Sequence, residues 1–138
     1  MFIPEPVRFL QPLEVKALLQ DPQRKDHVLI LDVRDDDYDF THINHPNYAR
    51  IASGELSCVQ RMDEFIRFNL HDTIDTVIVH CYLSQQRGPT TARRLVNRLS
   101  QMERCGRPEI CVLAHGYRRW KNMFGDDPAL VFYDEEER

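Results

Sequence analysis

The sequence predicts one α/β domain in which helices cover both faces of an open, mostly parallel sheet. Three short apolar runs, residues 28–33 (VLILDV), 76–80 (TVIVH) and 109–114 (EICVLA), have the composition of strands buried on both faces. Segments with helical spacing lie between these runs, and such alternation implies right-handed crossover connections within one sheet. A chain of 138 residues fits a single hydrophobic core.

Four segments carry apolar side chains at helical spacing and are predicted helices: residues 12–20, 60–70, 89–102 and 117–124. Pro12 suits the first turn of the first helix. Residues 35–47 (DDDYDFTHINHPN) are predicted to form a long loop, and residues 48–51 a further short strand. The acidic tail, residues 134–138, is predicted to be disordered.

The composition is that of a soluble globular protein, with 42% hydrophobic and 29% charged residues. No apolar run approaches the roughly 20 residues that span a bilayer, and Pro4, Glu5 and Pro6 interrupt the place of a signal peptide. The 18 basic and 22 acidic side chains are mixed along the chain, which argues against a nucleic-acid-binding face. We therefore expect a protein of the cytoplasm, the nucleus or both. No stretch indicates an oligomeric state.

The chain has four cysteines, and one of them lies in a pattern that suggests chemistry. They form no C-x-x-C pair and have no matching H-x-x-x-H, which argues against a structural zinc site. Thiols persist in a reducing compartment, so Cys58, Cys105 and Cys111 are predicted to be small buried apolar residues. Cys81 differs because it directly follows a predicted strand.

One loop joins this strand to a predicted helix and carries the candidate chemistry. Its sequence is His80-Cys81-Tyr82-Leu83-Ser84-Gln85-Gln86-Arg87, followed by Gly88-Pro89. Backbone N–H groups of such a loop point inward and the helix N-terminus adds positive charge, so the unit can bind a tetrahedral dianion. Arg87 can add a bidentate clamp on two phosphoryl oxygens, which a lysine could not reproduce. The same positive field favours the thiolate form of Cys81.

The pattern H-C-x5-R-G-P is specific. With ordinary residue frequencies it would occur by chance in a chain of this length on the order of once in 100,000. The competing interpretation is a buried core cysteine beside a surface arginine. The position of the pattern at a strand-to-helix junction favours the catalytic interpretation.

The segment HCYLSQQRGPTTA resembles the catalytic loop of the rhodanese-fold phosphatases, a group that contains the cell-cycle M-phase inducer phosphatases and small fungal and protozoan relatives, arsenate reductases among them. LILDVRDDDYDFTHI resembles the D-x-R and H-I signature of that family, with Asp32, Arg34 and His42 at the matching positions. VLAHGYRRWKNMF resembles its last strand and helix. The resemblance spans about residues 7–124 and implies a five-stranded rhodanese-like sheet in a catalytic domain of residues 1–133.

The resemblance implies that Cys81 is the nucleophile and forms a phosphocysteine with the substrate. The oxyanion site then consists of the Arg87 side chain and the backbone of the loop, Tyr82, Leu83, Ser84, Gln85, Gln86 and Arg87. Neither a metal nor an organic cofactor is implied, and the partner is a phosphorylated protein or a small oxyanion such as arsenate. Sulfurtransferases of this fold usually have a loop one residue shorter, which weighs against sulfur transfer.

Three departures from the family pattern are informative. Tyr82 and Gln86 stand where the large cell-cycle phosphatases carry acidic residues, so the general acid is not identified. Val33 stands where those enzymes carry a second cysteine, so a protective disulfide with Cys81 is not expected. The usual Gly-Gly before the last helix reads His115-Gly116.

Several other side chains are candidates with a structural alternative. His80 could tune the thiolate or orient the loop through the backbone, and Ser84 could bind the thiolate or face solvent. One of the aspartates at the end of the first predicted strand could protonate the leaving oxygen, although a charge run is usually solvated surface. They are Asp35, Asp36, Asp37 and Asp39.

The remaining candidates lie away from the loop in sequence. Arg118 and Arg119 follow a strand end and could hold an acidic or phosphorylated substrate, or could simply be exposed. His42 and His45 have metal-like spacing but no third ligand, so a structural hydrogen bond is the expected role of His42. Trp120 is predicted to belong to the core.

The sequence therefore favours a small protein-tyrosine or dual-specificity phosphatase. Arsenate reduction through Cys81 with glutathione and glutaredoxin is an alternative, because the same loop fits both oxyanions. A non-catalytic phosphopeptide-binding module is a further alternative, against which the intact Cys81 and Arg87 argue.

Overall fold

Five parallel strands form the main sheet of the computed structural model, which describes residues 7–102 and 107–134. The strands in chain order are β1 (Arg8–Leu10), β2 (Val28–Asp32), β3 (Thr41–Ile43), β4 (Tyr48–Arg50), β5 (Thr76–His80), β6 (Glu109–Leu113) and β7 (Val131–Tyr133). The main sheet has the order β1-β6-β5-β2-β4, and β3 pairs antiparallel with β7 in a separate sheet. The predicted open α/β architecture is confirmed.

Four α-helices flank the main sheet within the described ranges: α1 (Pro12–Gln20), α2 (Val59–Asn69), α3 (Arg87–Gln101) and α4 (Gly116–Phe124). All four predicted helices are present. The third begins two residues earlier than predicted, at Arg87, with Gln86 as its N-cap. None of these helices is long and apolar enough to cross a membrane.

The central strands are buried on both faces, as their continuous apolar sequences predict. Every residue of β2 and β5 is buried. Alternate residues of β2 point to opposite faces, so Leu31 packs in one cluster with α2 and α3 while Ile30 packs in another with α1 and α4. Phe65 belongs to the first cluster and Trp120 to the second, which confirms the predicted core position of Trp120. Two helix layers therefore hold the strand ends in fixed positions.

Three short strands, β1, β3 and β7, were not predicted. Residues 35–47 were expected to form one long loop, but they contain β3, so that prediction is wrong in part. The pairing of Thr41 with Tyr133 joins segments far apart in sequence, which a local pattern does not reveal. The strand β1 has only three residues and pairs in parallel with β6. Of the predicted acidic tail only Asp134 is described; Cys105 and residues 135–138 lie outside the described residues.

Candidate active site

The carboxyl ends of three parallel strands, β2, β5 and β6, place the candidate site at one edge of the sheet. In the register of β2 and β5, Asp32 lies opposite His80, the last residue of each strand. Cys81 follows directly, and α3 begins six residues later at Arg87. Cys81 is 2% exposed, so the sulfur lies at the base of the loop rather than on the surface.

The backbone of the loop wraps around the sulfur of Cys81. The N–H of Ser84 donates to Sγ at 3.1 Å, and the N–H of Gly88, in the first turn of α3, donates at 3.3 Å. Ser84 adopts a positive φ of 53°, which turns its N–H inward. Two such donors and the helix N-terminus stabilise negative charge on the sulfur. The predicted contact of Ser84 with the thiolate is thus made by its backbone, and its buried Oγ has no hydrogen-bond partner within the described chain.

The side chains of the other loop residues point away from the sulfur. Leu83, Gln85 and Gln86 are exposed and Tyr82 is partly buried. Residues 82–86 therefore have only their backbone amides to offer to a bound oxyanion, and Arg87 is the loop residue whose side chain could bind it. Gly88 permits this wrapping, because a Cβ there would stand 3.3 Å from the Cys81 nitrogen and 3.5 Å from Sγ.

The start of α4 forms hydrogen bonds with the backbone of the loop. The N–H groups of Tyr117 and Arg118 donate to the carbonyl oxygens of Cys81 and Tyr82, each at 3.0 Å. His115 and Gly116 both have positive φ, 66° and 69°, and so bring the helix start against the loop. His115 adopts this left-handed conformation although it carries a side chain.

A buried ion pair lies beneath the site. Nε and Nη2 of Arg34 donate to the carboxylate of Asp32 at 2.7–3.1 Å, and both side chains have no solvent exposure. The hydroxyl of Tyr48 donates to Asp32 at 2.7 Å, and the ring of Tyr117 lies 4.0 Å from the guanidinium carbon of Arg34. Burial alone raises the pKa of Asp32, but His80 and the contacts with Arg34 lower it to about 2. The role of Tyr48, sixteen residues from Asp32, had no signal in the sequence.

His80 is fully buried and orients the loop. Its Nδ1 lies 3.3 Å from the carbonyl oxygen of Cys81 and 3.9 Å from Asp32. Burial lowers the pKa of His80 below its usual value, while the Asp32 carboxylate opposes this shift. A ring that carries its proton on Nδ1 fits the contact with the Cys81 carbonyl oxygen. Of the two roles considered for His80, these contacts favour the orienting one.

Two of the four candidate aspartates reach the loop. Asp37 accepts from Nη1 and Nη2 of Arg87 at 2.9 and 2.5 Å, and Asp35 accepts from Nη1 at 3.3 Å. The hydrogen bonds to Asp37 raise the pKa of Arg87, and the charge of Asp37 adds to this effect. Asp39 instead binds Lys121 at 2.7 Å and the backbone and hydroxyl of Thr41.

The other polar candidates lie outside the loop. His42 stacks between Tyr48 and Phe132, and its Nδ1 lies 2.8 Å from the Ile43 carbonyl oxygen. His45 is buried with Nε2 at 2.8 Å from a backbone oxygen of β2. In residues 7–102 and 107–134 no three acidic, histidine or cysteine side chains are grouped to hold a metal.

Two of the other cysteines can be compared with their predicted burial. Cys111 is buried in β6 as predicted, and burial raises its pKa to about 12. The prediction for Cys58 was wrong, because this residue is exposed. It is the N-cap of α2, at the surface end of that helix, where its side chain makes no cap hydrogen bond.

A groove of about 1070 Å³ opens beside the loop, between α4 and the start of α1. Its described lining includes exposed apolar side chains and three basic ones, and no acidic side chain: Phe9, Leu13, Leu83, His115, Arg118 and Arg119. Neither arginine forms a salt bridge with the described part of the chain. The groove is therefore a basic and apolar surface next to the candidate nucleophile.

Comparison with known protein families shows to which family this fold and loop belong. The Rhodanese-like domain family matches residues 11–123. The chain is a member of the rhodanese-like domain family. This rhodanese-like domain is 30% identical to the CDC25-like phosphatase YCH1 of Saccharomyces cerevisiae, over 91% of this chain and 88% of that protein. It is 32% identical to the dual specificity phosphatase ibp1 of Schizosaccharomyces pombe, over 91% of this chain and 96% of that protein.

Solved structures confirm the rhodanese-like fold. Ygr203w, described as a yeast protein tyrosine phosphatase of the Rhodanese family, superposes with a TM-score of 0.80 at 29% identity, over 96% of both chains. The rhodanese-like domain is also 32% identical to arsenate reductase 2.1 of Oryza sativa, over 83% of this chain and 69% of that protein. The resemblance to the phosphatase branch of the family, with arsenate reductases among the relatives, is thus confirmed.

Proposed function

We propose that this chain is a small protein-tyrosine or dual-specificity phosphatase that works through a phosphocysteine on Cys81. The arrangement around the sulfur carries this proposal: Sγ accepts the N–H groups of Ser84 and Gly88 inside a loop that ends at the N-terminus of α3. A sulfur held this way is prepared for in-line attack on a phosphorus atom whose oxygens occupy the same positive cradle. The curated relatives named as phosphatases support the same activity.

Each part of the loop has a role in the proposed reaction. The sulfur of Cys81 forms a bond to phosphorus as the bond to the ester oxygen breaks, and water then hydrolyses the P–S bond and restores the thiolate. The N–H groups of Ser84 and Gly88, the other backbone amides of residues 82–87 and the guanidinium of Arg87 would stabilise the equatorial oxygens while charge moves across them. His80 and the start of α4 act indirectly, because they hold the Cys81 carbonyl and with it the loop.

Loss of the sulfur tests this function. Cys81→Ser should lower the hydrolysis of para-nitrophenyl phosphate by at least about 10⁴-fold, since a serine hydroxyl is not ionised in this site and is a much weaker nucleophile. Cys58→Ser is the matched control, because Cys58 is exposed at the start of α2, and it should keep wild-type turnover. Retained turnover in Cys81→Ser would contradict the mechanism.

Arsenate reduction is the second candidate function, favoured by the rice arsenate reductases among the relatives. Attack of Cys81 on arsenate would require a thiol such as glutathione to supply the electrons and complete the cycle. Wild-type protein should therefore be assayed in parallel with arsenate, glutathione and glutaredoxin. Thiol-dependent loss of arsenate without phosphate release from the aryl ester would move the assignment to a reductase.

The proposed substrate is a phosphorylated protein segment with acidic residues beside the phosphoresidue. Its acidic flank would lie in the groove next to the loop, where Arg118 and Arg119 form no salt bridge with residues 7–102 or 107–134. A nucleophilic free thiol also needs a reducing compartment, so the proposal places the protein in the cytoplasm or nucleus.

Removing both groove arginines tests the substrate class. Arg118→Ala/Arg119→Ala should raise KM for an acidic phosphotyrosine peptide about five- to tenfold, the loss expected for two partly exposed ion pairs. KM for para-nitrophenyl phosphate should stay unchanged, because this ester does not extend into the groove. Arg94→Ala, at an exposed position of α3 outside the groove lining, is the control. Equal KM values for wild type and the double variant on the peptide would rule out this binding site.

A further inference from the structure

We propose that Asp37 is the general acid of the phosphatase reaction, which donates a proton to the leaving oxygen and later accepts one from water. This inference rests on the proposed function and adds a residue to it. A phosphate ester with a poorly acidic alcohol or phenol needs a proton on its leaving oxygen as the P–O bond breaks. The loop cannot supply it, because residues 82–86 contain no carboxyl group.

The position of Asp37 next to Arg87 points to this role. Both carboxylate oxygens of Asp37 accept hydrogen bonds from the Arg87 guanidinium, the group that is proposed to bind the phosphoryl oxygens. Arg87 is the first residue of α3, and the next residue, Gly88, donates its N–H to the Cys81 sulfur. The Asp37 carboxyl group is therefore in direct contact with the side chain that would bind the phosphate. From this position we infer that it can reach an ester oxygen that points out of the loop. The Asp37 side chain is 36% exposed, so a substrate can reach it.

The neighbouring aspartates are less suited to this role. Asp35 is tied by one carboxylate oxygen to the backbone N–H of Ser53, and by the other to Arg87 and the Ser53 hydroxyl. Asp39 is bound by Thr41, Lys121 and Arg34. Asp36 is exposed and forms no hydrogen bond or salt bridge with the described chain. One oxygen of Asp37 also accepts the backbone N–H of Asp35 at 3.0 Å, but among the four aspartates only Asp37 has both oxygens bonded to the proposed phosphate-binding arginine.

Substrate binding changes the charges that Asp37 experiences. In the free protein the hydrogen bonds from Arg87 lower the pKa of Asp37, so it is a carboxylate. A bound phosphate ester takes over guanidinium N–H groups and brings its own negative charge close to Asp37. Both changes favour the protonated carboxyl, and the proton enters with the ester, as its monoanion, or from solvent.

The two steps balance with this proton. In the first, the thiolate forms the P–S bond, the P–O bond breaks, and the Asp37 carboxyl gives its proton to the departing oxygen, which leaves as a neutral alcohol. In the second, a water oxygen attacks phosphorus, the Asp37 carboxylate accepts a proton from that water, and the P–S bond breaks to return the thiolate. Inorganic phosphate is then released, and no oxidant or reductant takes part.

Leaving-group dependence tests this role, since a positioning residue would affect all esters alike. Asp37→Asn should lower kcat/KM on phenyl phosphate by about 100-fold or more, the usual contribution of a general acid. On dinitrophenyl phosphate, whose leaving group departs unprotonated, kcat/KM should fall less than about 10-fold, because this ratio does not include the later hydrolysis of the phosphocysteine. Asp36→Asn is the matched control and should behave as wild type on both esters. Asp37→Glu keeps a carboxyl group and should recover part of the lost activity on phenyl phosphate.

The possible outcomes separate this inference from the function on which it rests. An equal loss on both esters, or a gain from Asp37→Asn on both because Arg87 is freed, would overturn the general-acid role. The same loss in Asp36→Asn would overturn it too, because that result would reflect surface charge. If wild-type protein hydrolyses neither ester, the phosphatase function itself is wrong, and the inference fails with it.

Discussion

Gly116→Ala should destabilise the fold by about 3 kcal/mol and reduce phosphatase turnover by about 100-fold. The φ of Gly116 is +69°, in a region that L-residues rarely adopt. A Cβ there would overlap the carbonyl oxygen of Tyr82 and lie 2.6 Å from the carbonyl carbon of Leu83. These are backbone atoms of the phosphate-binding loop, so they cannot turn aside as a flexible side chain would. The loop must shift, and the sulfur and its amide donors shift with it.

Thermal unfolding and hydrolysis of para-nitrophenyl phosphate measure the two effects. Gly54→Ala is the matched control, because a Cβ at Gly54 meets no atom within 4 Å and that residue has an ordinary φ of −63°. The control should keep both stability and turnover. Wild-type turnover in Gly116→Ala would show that α4 does not need to approach the loop as closely as it does here.

Arg34→Met should destabilise the protein by about 3–5 kcal/mol, because it leaves the Asp32 carboxylate buried without its charged partner. This is a large part of the roughly 5–15 kcal/mol that stabilises an ordinary domain. The loss should appear as a lower midpoint of urea-induced unfolding. It should also weaken activity, since Asp32 lies opposite His80, the residue that contacts the Cys81 carbonyl.

A double-mutant cycle separates the ion pair from the packing of Arg34. In the variant Asp32→Asn/Arg34→Met neither charge remains, so its loss of stability should be clearly smaller than the sum of the two single losses. Simple additivity of the two single losses would mean that the pair is not coupled in the native state.

The same pair predicts how stability depends on pH. The folded pKa of Asp32 is about 2, below the usual 3.8, so the unfolded chain binds the proton first as pH falls. The contribution of the pair is therefore fully present above about pH 4 and is lost as pH falls from about 4 through about 2. The variant Asp32→Asn should lack this part of the acid dependence in unfolding measurements.

Local sequence was sufficient for most of the secondary structure and for the loop. The strands β2, β5 and β6 are continuous apolar runs, and such runs become buried strands whatever their neighbours are. Cys81 and Arg87 are six residues apart on one strand-loop-helix unit, so their spacing alone predicts a common site. Ser84 and Gly88, whose N–H groups bind the sulfur, are also close to Cys81 in sequence, whereas the contacts of the loop with the start of α4 are not.

Contacts between distant segments could not be predicted in this way. The strand β3 exists because residues 41–43 pair with residues 131–133, and a segment of three residues is too short for a local pattern to predict a strand. Arg34 is charged and follows a strand, which predicts exposure, yet the carboxylate of Asp32 and the ring of Tyr117 make its complete burial possible. Cys58 was wrongly predicted to be buried. Cysteine is usually buried, but this residue is the N-cap of α2 and lies at the protein surface.

The sequence by itself determined the α/β class, the rhodanese-like resemblance and the loop from Cys81 to Arg87, because these depend on residues close together along the chain. Only the tertiary structure decided that Asp35 and Asp37, and not Asp36 or Asp39, bind Arg87, and that Asp37 does so through both carboxylate oxygens. Asp37 and Arg87 are 50 residues apart, and their contact depends on the parallel pairing of β2 with β5, which brings both strand ends to one edge. The sequence does not show which of these four neighbouring carboxylates lies next to Arg87. The fold does, because it fixes the direction of each side chain.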